Sequence, residues 1–314
     1  MARVLRIYFN AVFGGLGGLL GWMLFGEFVS DEWDWWVSAL IGGALIGAII
    51  GYFVVSVDAI LDRALVRFAR YAAYGVLLGG LGGAAGFWIG DWVRHLLVGL
   101  GGFELSTGQM VLSVLGRGCG WMVFGLAVGV SEGIAARSFG KFSYGAVGGS
   151  LGGFIGGCIF GWLMEVLNKE DASYYWGQAI GLVVLGACIG SLTALVEEVF
   201  KPAALKVLRG WQEGREYPLV KPASVVGRDE GVDVLLLRDM KVEKRHIVIH
   251  RRGNRFVLVN NQAPAQHTLV NGEPVAQSCE LQDGDRIQLG NVVLRFMMRA
   301  AAKGGRRPPV LSID

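Results

Sequence analysis

Six stretches of this chain are apolar for about the 20 residues that the hydrocarbon core of a bilayer demands of a helix. They run from Ile7 to Phe25, Trp36 to Val57, Tyr71 to Ile89, Val111 to Val130, Gly145 to Leu163 and Tyr175 to Val196. Only Arg117 puts a full charge clearly inside one of them. Helices of soluble proteins keep a solvated side, and none of these runs has one. The pattern predicts an integral membrane domain over residues 1–200. Composition divides at the same place. Residues 1–200 hold 40 of the 50 glycines, with 10 basic and 14 acidic residues, a net charge of −4. Residues 201–314 hold 19 basic and 12 acidic residues, a net charge of +7. This excludes a disordered chain, a collagen and a disulfide scaffold. Cys119, Cys158 and Cys188 lie in apolar runs and read as small buried hydrophobes.

Loop charge predicts the orientation. Arg3, Arg6, Arg63, Arg67, Arg70, Arg137, Lys141, Lys201, Lys206 and Arg209 flank one side of the spans. The other side carries Asp31, Glu32, Asp34, Asp91, Glu104, Glu165, Glu170 and Asp171, with only Arg94 and Lys169 basic. The excess of Lys and Arg places the first side, and both termini, in the cytoplasm of a plasma or inner membrane. The tryptophans Trp33, Trp35, Trp36, Trp92 and Trp176 then fall at the outer boundary.

A glycine pattern recurs three times. It begins at Gly14-Gly15-Leu16-Gly17-Gly18, at Gly79-Gly80-Leu81-Gly82-Gly83 and at Gly149-Ser150-Leu151-Gly152-Gly153. Phe9, Tyr74 and Tyr144 precede these by five residues, and each following span has its own glycine pair: Gly47 and Gly51, Gly125 and Gly129, Gly186 and Gly190. The sequence therefore predicts an all-α six-span bundle built as three repeated helical hairpins. The glycines allow close backbone approach between helices in lipid; faces left outside the bundle would build a homo-oligomer. Asp58, Glu132 and Glu197 each stand seven residues after a glycine at the cytoplasmic end of an even-numbered span. They form a candidate intramembrane acidic site, or else pair with basic residues at the interface.

Residues 201–222, with Pro202, Pro218 and Pro222, read as a basic juxtamembrane linker beside anionic headgroups. From residue 223 to 299 short β-type runs broken by turns predict an all-β domain. Candidate strands are Val234–Leu237, His246–His250, Arg255–Val259, His267–Val270 and Asn291–Phe296. Residues 300–314 read as a disordered basic tail.

Four motifs in order carry a resemblance. Val226-Gly227-Arg228, then Val242-Glu243-Lys244-Arg245-His246, then His267-Thr268-Leu269-Val270-Asn271-Gly272, then Leu281 to Gly290 around Asp283-Gly284-Asp285, are similar to the forkhead-associated (FHA) domain. The resemblance implies an eleven-stranded β-sandwich whose loops bind phosphothreonine peptides. It further implies that Arg228 contacts the phosphopeptide, that His246 braces the loop, and that Thr268 and Asn271 belong to the peptide-binding segment. Two positions depart from the family. Glu243 replaces a phosphate-binding serine, and Gln266 replaces the asparagine that holds the peptide backbone. Lys244 and Arg245 offer charge-assisted donors in compensation.

Nothing in the sequence assembles a catalytic constellation, a metal-ligand spacing or a cofactor site, so the chain reads as a binding protein and not an enzyme. The leading expectation is a membrane scaffold that recruits another protein through the FHA-like module, with or without a phosphothreonine placed by a Ser/Thr kinase. Only Thr107, Thr193 and Thr268 are available in this chain, so a phosphothreonine ligand comes from a different protein. The alternative is a channel or transporter whose bundle the module regulates. The lipid bilayer is a partner in both; nucleic acid is a partner in neither, because a basic linker and tail account for the positive charge.

Overall fold

The computed structural model describes residues 2–29, 33–100, 106–167 and 172–299. The loop residues Asp31, Glu32, Glu104, Lys169, Glu170 and Asp171 and the tail from Ala300 lie outside them. The chain divides after Phe200 into two compact units.

The first unit is six α-helices: α1 (Ala2–Phe28), α2 (Trp35–Asp62), α3 (Leu65–Leu100), α4 (Ser106–Ala136), α5 (Phe139–Val166) and α6 (Ala172–Phe200). All six are long and apolar enough to cross a membrane. Each outruns its apolar stretch, because the polar residues at its ends stay helical. Between α2 and α3, and again between α4 and α5, the chain reverses in a tight turn. Arg63 and Arg137 take the left-handed conformation there, with φ of 54° and 51°. The next residues close the helix end, Ala64 N–H on Ala59 O at 3.2 Å and Ser138 N–H on Gly133 O at 2.9 Å. The Ser138 hydroxyl then caps α5 by accepting from Lys141 N–H.

Glycine decides how the helices meet. A Cβ at Gly14 would strike the carbonyl of Gly186, one at Gly79 that of Gly47, and one at Gly149 that of Gly125. The backbones of α1 and α6, α2 and α3, and α4 and α5 therefore touch directly. Glycine contacts also complete the ring within each sequence hairpin, with Gly17 against Ile50, Gly86 against the backbone of Gly120 and Gly152 against Ile189. These contacts occupy the glycine rows from within the chain. Helices α2, α4 and α6 meet one another at the centre. There Ile46, Phe124 and Leu185, followed by Ile50, Val128 and Ile189, are each at most 2% exposed and form a closed apolar plug.

The second unit is a sandwich of two sheets, with strand order β2-β1-β11-β10-β7-β8 in one and β4-β3-β5-β6-β9 in the other. The strands are β1 (Ala203–Arg209), β2 (Glu216–Pro218), β3 (Ala223–Gly227), β4 (Val234–Leu235), β5 (Ile247–Arg252), β6 (Arg255–Asn260), β7 (Thr268–Val270), β8 (Glu273–Pro274), β9 (Ser278–Leu281), β10 (Arg286–Leu289) and β11 (Val292–Met298). Alternate residues of each strand face inward, as the pleat requires. Leu205, Ile247, Leu258, Ile287, Leu294 and Phe296 are fully buried between the sheets.

The linker expected over residues 201–222 is corrected here. β1 pairs antiparallel with β11 along its length and with β2 on its other side. Leu205 and Val207 enter the core, while Lys206 and Arg209 point away from it. The basic residues belong to the outer face of a strand, and the sandwich begins at residue 203. His267 also differs from its expected place, lying in a 3-10 turn (Ala265–His267) before β7.

Candidate functional site: an FHA-like pocket and a buried ion network

The pocket of the second unit is built on a backbone crossing. A Cβ at Gly227 would collide with the carbonyl of Lys244 and lie 2.9 Å from that of Glu243. Glycine at the end of β3 therefore lets the 243–245 loop lie directly on the strand. Arg228 N–H donates to Glu243 O at 3.1 Å and Asp229 N–H to Lys244 O at 3.2 Å, which locks the loop to the residue that follows the glycine. His246 holds it from below. It is fully buried; its Nδ1 accepts from Glu243 N–H at 3.0 Å and its Nε2 lies 2.9 Å from Thr268 Oγ1. With Nδ1 an acceptor, the ring is neutral and Nε2–H donates to the threonine. Burial pushes its pKa down, and the nearby Glu243 offsets this in part.

The resulting open cavity, of about 480 Å³, is lined by Arg228, Asp229, Glu243, Lys244, Arg245, Asn261 and Gln262. Three cations face two carboxylates. The guanidinium Nε of Arg228 is buried and makes no hydrogen bond among the described residues. Asn261 is fixed at the rim, with its N–H on His246 O at 3.0 Å and its Nδ2 on Arg245 O at 2.8 Å. Asn261 and Gln262 were not legible as site residues, because they stand outside every motif and reach the rim only through the β6–β7 connection.

Four residues expected at the site from the resemblance, Arg228, Glu243, Lys244 and Arg245, line the cavity together. Three do not. Thr268 is fully buried as the hydrogen-bond partner of His246, so it supports the loop from inside. Asn271, with φ of 54°, ties the β7–β8 turn to Asp285 Oδ1 at 2.9 Å and to Arg286 N–H at 2.9 Å. Gln266 is exposed on the 3-10 turn and absent from the lining.

The three membrane-domain acids do come together. Arg6 Nη2 of α1 lies 2.8 Å from Asp58 and 2.6 Å from Glu197. Lys141 Nζ of α5 bonds to Glu132 and lies 3.9 Å from both Asp58 and Glu197. Arg6, Tyr71 and Lys141 each stand eight residues before the leading glycine of a repeat, Gly14, Gly79 and Gly149. The acids share a register less well than their spacing implies. Gly51, Gly129 and Gly190 pack equivalently, against Gly75, Gly145 and Asn10. Asp58 and Glu197 follow their members of that set by seven residues, Glu132 by only three, so Glu132 sits one turn higher. This is an ion network among packed helices. Among the described residues no group of His, Cys, Asp and Glu is arranged to hold a metal ion.

Residues 206–300 match the family model described as the inner membrane component of T3SS, cytoplasmic domain. Among solved structures, the chain is similar to an FHA domain from a structural and functional analysis of phosphothreonine-dependent FHA domain interactions. The two are 31% identical, over 31% of this chain and 97% of that one, with a TM-score of 0.29. It is 30% identical to the FhaA FHA domain complexed with the intracellular domain of Rv3910, over 30% of this chain and 98% of that one, with a TM-score of 0.27. The cytoplasmic domain of the T3SS sorting platform protein PscD from P. aeruginosa is 17% identical, over 34% and 85% of the two chains, with a TM-score of 0.28. A comparison with the curated proteins returns no match.

Proposed function

We propose, from the premise that the second unit is an FHA-like domain borne by a chain with six candidate membrane spans, that this protein is an inner-membrane scaffold. Its FHA-like domain recruits a protein partner in the cytoplasm, and the group it captures is a phosphothreonine of that partner. One observation carries the reading: Arg228, Lys244 and Arg245 line a single open cavity. Three cationic side chains around one opening suit an anionic oxygen, and charge-assisted bonds to phosphate are among the stronger ones available. Asn261 stands where a peptide backbone passing over the rim would meet an amide.

Glu243 gives weight to a second reading, recruitment without phosphate, because its carboxylate lies on the same rim and repels a dianion. Titrating residues 201–299 with threonine peptides, phosphorylated and not, separates the two. Phosphate-dependent binding that Arg228→Ala weakens by at least about 1.5–3 kcal/mol supports phosphothreonine capture. Equal binding of the two peptide forms refutes it and leaves a phosphate-independent recruiting surface. In either case the domain acts by binding rather than by catalysis. The six buried apolar residues at the centre of the bundle lend the channel alternative no support.

A further inference from the structure

At the end of the bundle opposite Arg6 and Lys141, the helices enclose a cavity of about 290 Å³ to which all six contribute. Its walls are aromatic: Trp22, Phe25, Phe87, Trp121 and Phe160. Trp121 stands edge-on to Phe87 at 4.9 Å and to Phe160 at 5.7 Å. The polar lining comprises Asp91, Arg94, Arg117, Tyr174 and Gln178. Arg117 is the single full charge that stands out within an apolar run, and no role described above uses it.

The two arginines differ. Arg94 is engaged, with Nε and Nη2 donating to Asp91 Oδ1 at 3.2 and 2.8 Å. Arg117 lies 3.8 Å from Glu165 Oε1, too far for a hydrogen bond, and that oxygen already accepts from Ser113 Oγ at 2.7 Å. A guanidinium thus reaches an aromatic cavity with five N–H donors and no bonded acceptor among the described residues. The ion pair with Glu165 balances the charge of Arg117, and its N–H donors are left for a hydrogen-bond acceptor. Aromatic walls alone would also suit a cation, but two guanidiniums against one carboxylate on the lining repel one. The volume lies at the small end of the range for ligand pockets, about 300–1,000 Å³, which suits a small ring system and is too small for a phospholipid.

We infer that this cavity is a binding site for a small aromatic carboxylate, its ring held between Trp121 and the neighbouring phenylalanines and its carboxylate on Arg117. The proposal is independent of the FHA-like pocket. It is tested on the full chain in nanodiscs of neutral lipid, with 2-naphthoate as probe and energy transfer from tryptophan as readout. Saturable binding of 2-naphthoate is expected, with 2-naphthamide, the uncharged counterpart, binding about tenfold or more weaker. Arg117→Gln should lower the affinity for the acid about tenfold and leave that for the amide unchanged, which also shows that the variant keeps its cavity. The comparison of acid with amide on the unaltered protein stands even if that variant does not fold. Equal affinities for acid and amide would overturn the proposal, as would tighter binding of 2-naphthyltrimethylammonium. Displacement of 2-naphthoate by decanoate at lower concentration would make the site one for acyl chains, and the absence of saturable binding would make it a structural void.

Discussion

The two units of this chain close their interiors by opposite means. In the sandwich, Leu205, Ile247, Phe256, Leu294 and Phe296 fill the space between the sheets, and removing water from their side chains drives the packing. In the bundle, the contacts that set helix spacing are made where side chains are missing, at Gly14 on Gly186, Gly47 on Gly79 and Gly125 on Gly149. Lipid outside is as apolar as leucine inside, so little is gained there by burying side chains, and close backbone contact takes over. The bundle surrounds Arg6 and Lys141 with three carboxylates, whereas in the sandwich Arg228 Nε makes no hydrogen bond among the described residues. Matched charge stabilises a structure; unmatched charge offers itself to a ligand.

The largest expected effect concerns where the sandwich begins. A fragment starting at residue 222 lacks β1 and β2, which uncovers β11 and removes Leu205, Val207 and Tyr217 from the core. Circular dichroism and urea titration should find residues 201–299 folded and 222–299 unfolded; a cooperative transition from the shorter fragment would restore the linker reading. Next comes the ion network. Lys141→Met leaves Glu132 without its bonded cation and should lower bundle stability by about 3–5 kcal/mol; a change below about 1 kcal/mol in a reversible denaturation assay would mean that the network is solvated. Smaller again is the glycine contrast. Gly149→Leu forces α4 and α5 apart and should cost about 1–3 kcal/mol, while Gly99→Leu, with nothing within 4 Å of its Cβ, should fall within about 0.5 kcal/mol of the parent. Equal effects at the two positions would remove glycine contact as the basis of the bundle.

The smallest effect is one of pH. Burial depresses the pKa of His246 in the folded domain, so at acidic pH the unfolded chain takes up a proton that the folded one refuses. Its contribution to stability is complete above the ordinary histidine value, about 6.5, and falls as pH drops below it toward the folded value. The urea midpoint of residues 201–299 should therefore decline between pH 7.5 and 5. A midpoint constant over that interval would mean that His246 titrates alike in the folded and unfolded chain.

The helices were legible because an apolar run of bilayer length has few other uses, and the pocket because Gly227-Arg228 and His246 are tied to a fixed backbone crossing. β1 was not, since Pro202, Lys206 and Arg209 interrupt the run to the eye while Ala203, Leu205 and Val207 keep the inward alternation. Arg6 and Lys141 could be placed on the basic side of the membrane, but not on Asp58, Glu132 and Glu197. Those partners lie up to 191 residues apart in sequence, and only the closure of the ring brings them together. Thr268 and Asn271 show the limit of carrying a motif across: both hold loops in place, and neither lines the cavity.

The most direct test of a membrane-borne, cytoplasm-facing phosphopeptide receptor is peptide binding to sealed membrane vesicles of both orientations. Inverted vesicles, which expose the cytoplasmic face, should bind a phosphothreonine peptide and lose that binding with Arg228→Ala, while right-side-out vesicles should bind none. Binding from the outer face, or equal binding of the unphosphorylated peptide, would contradict the account.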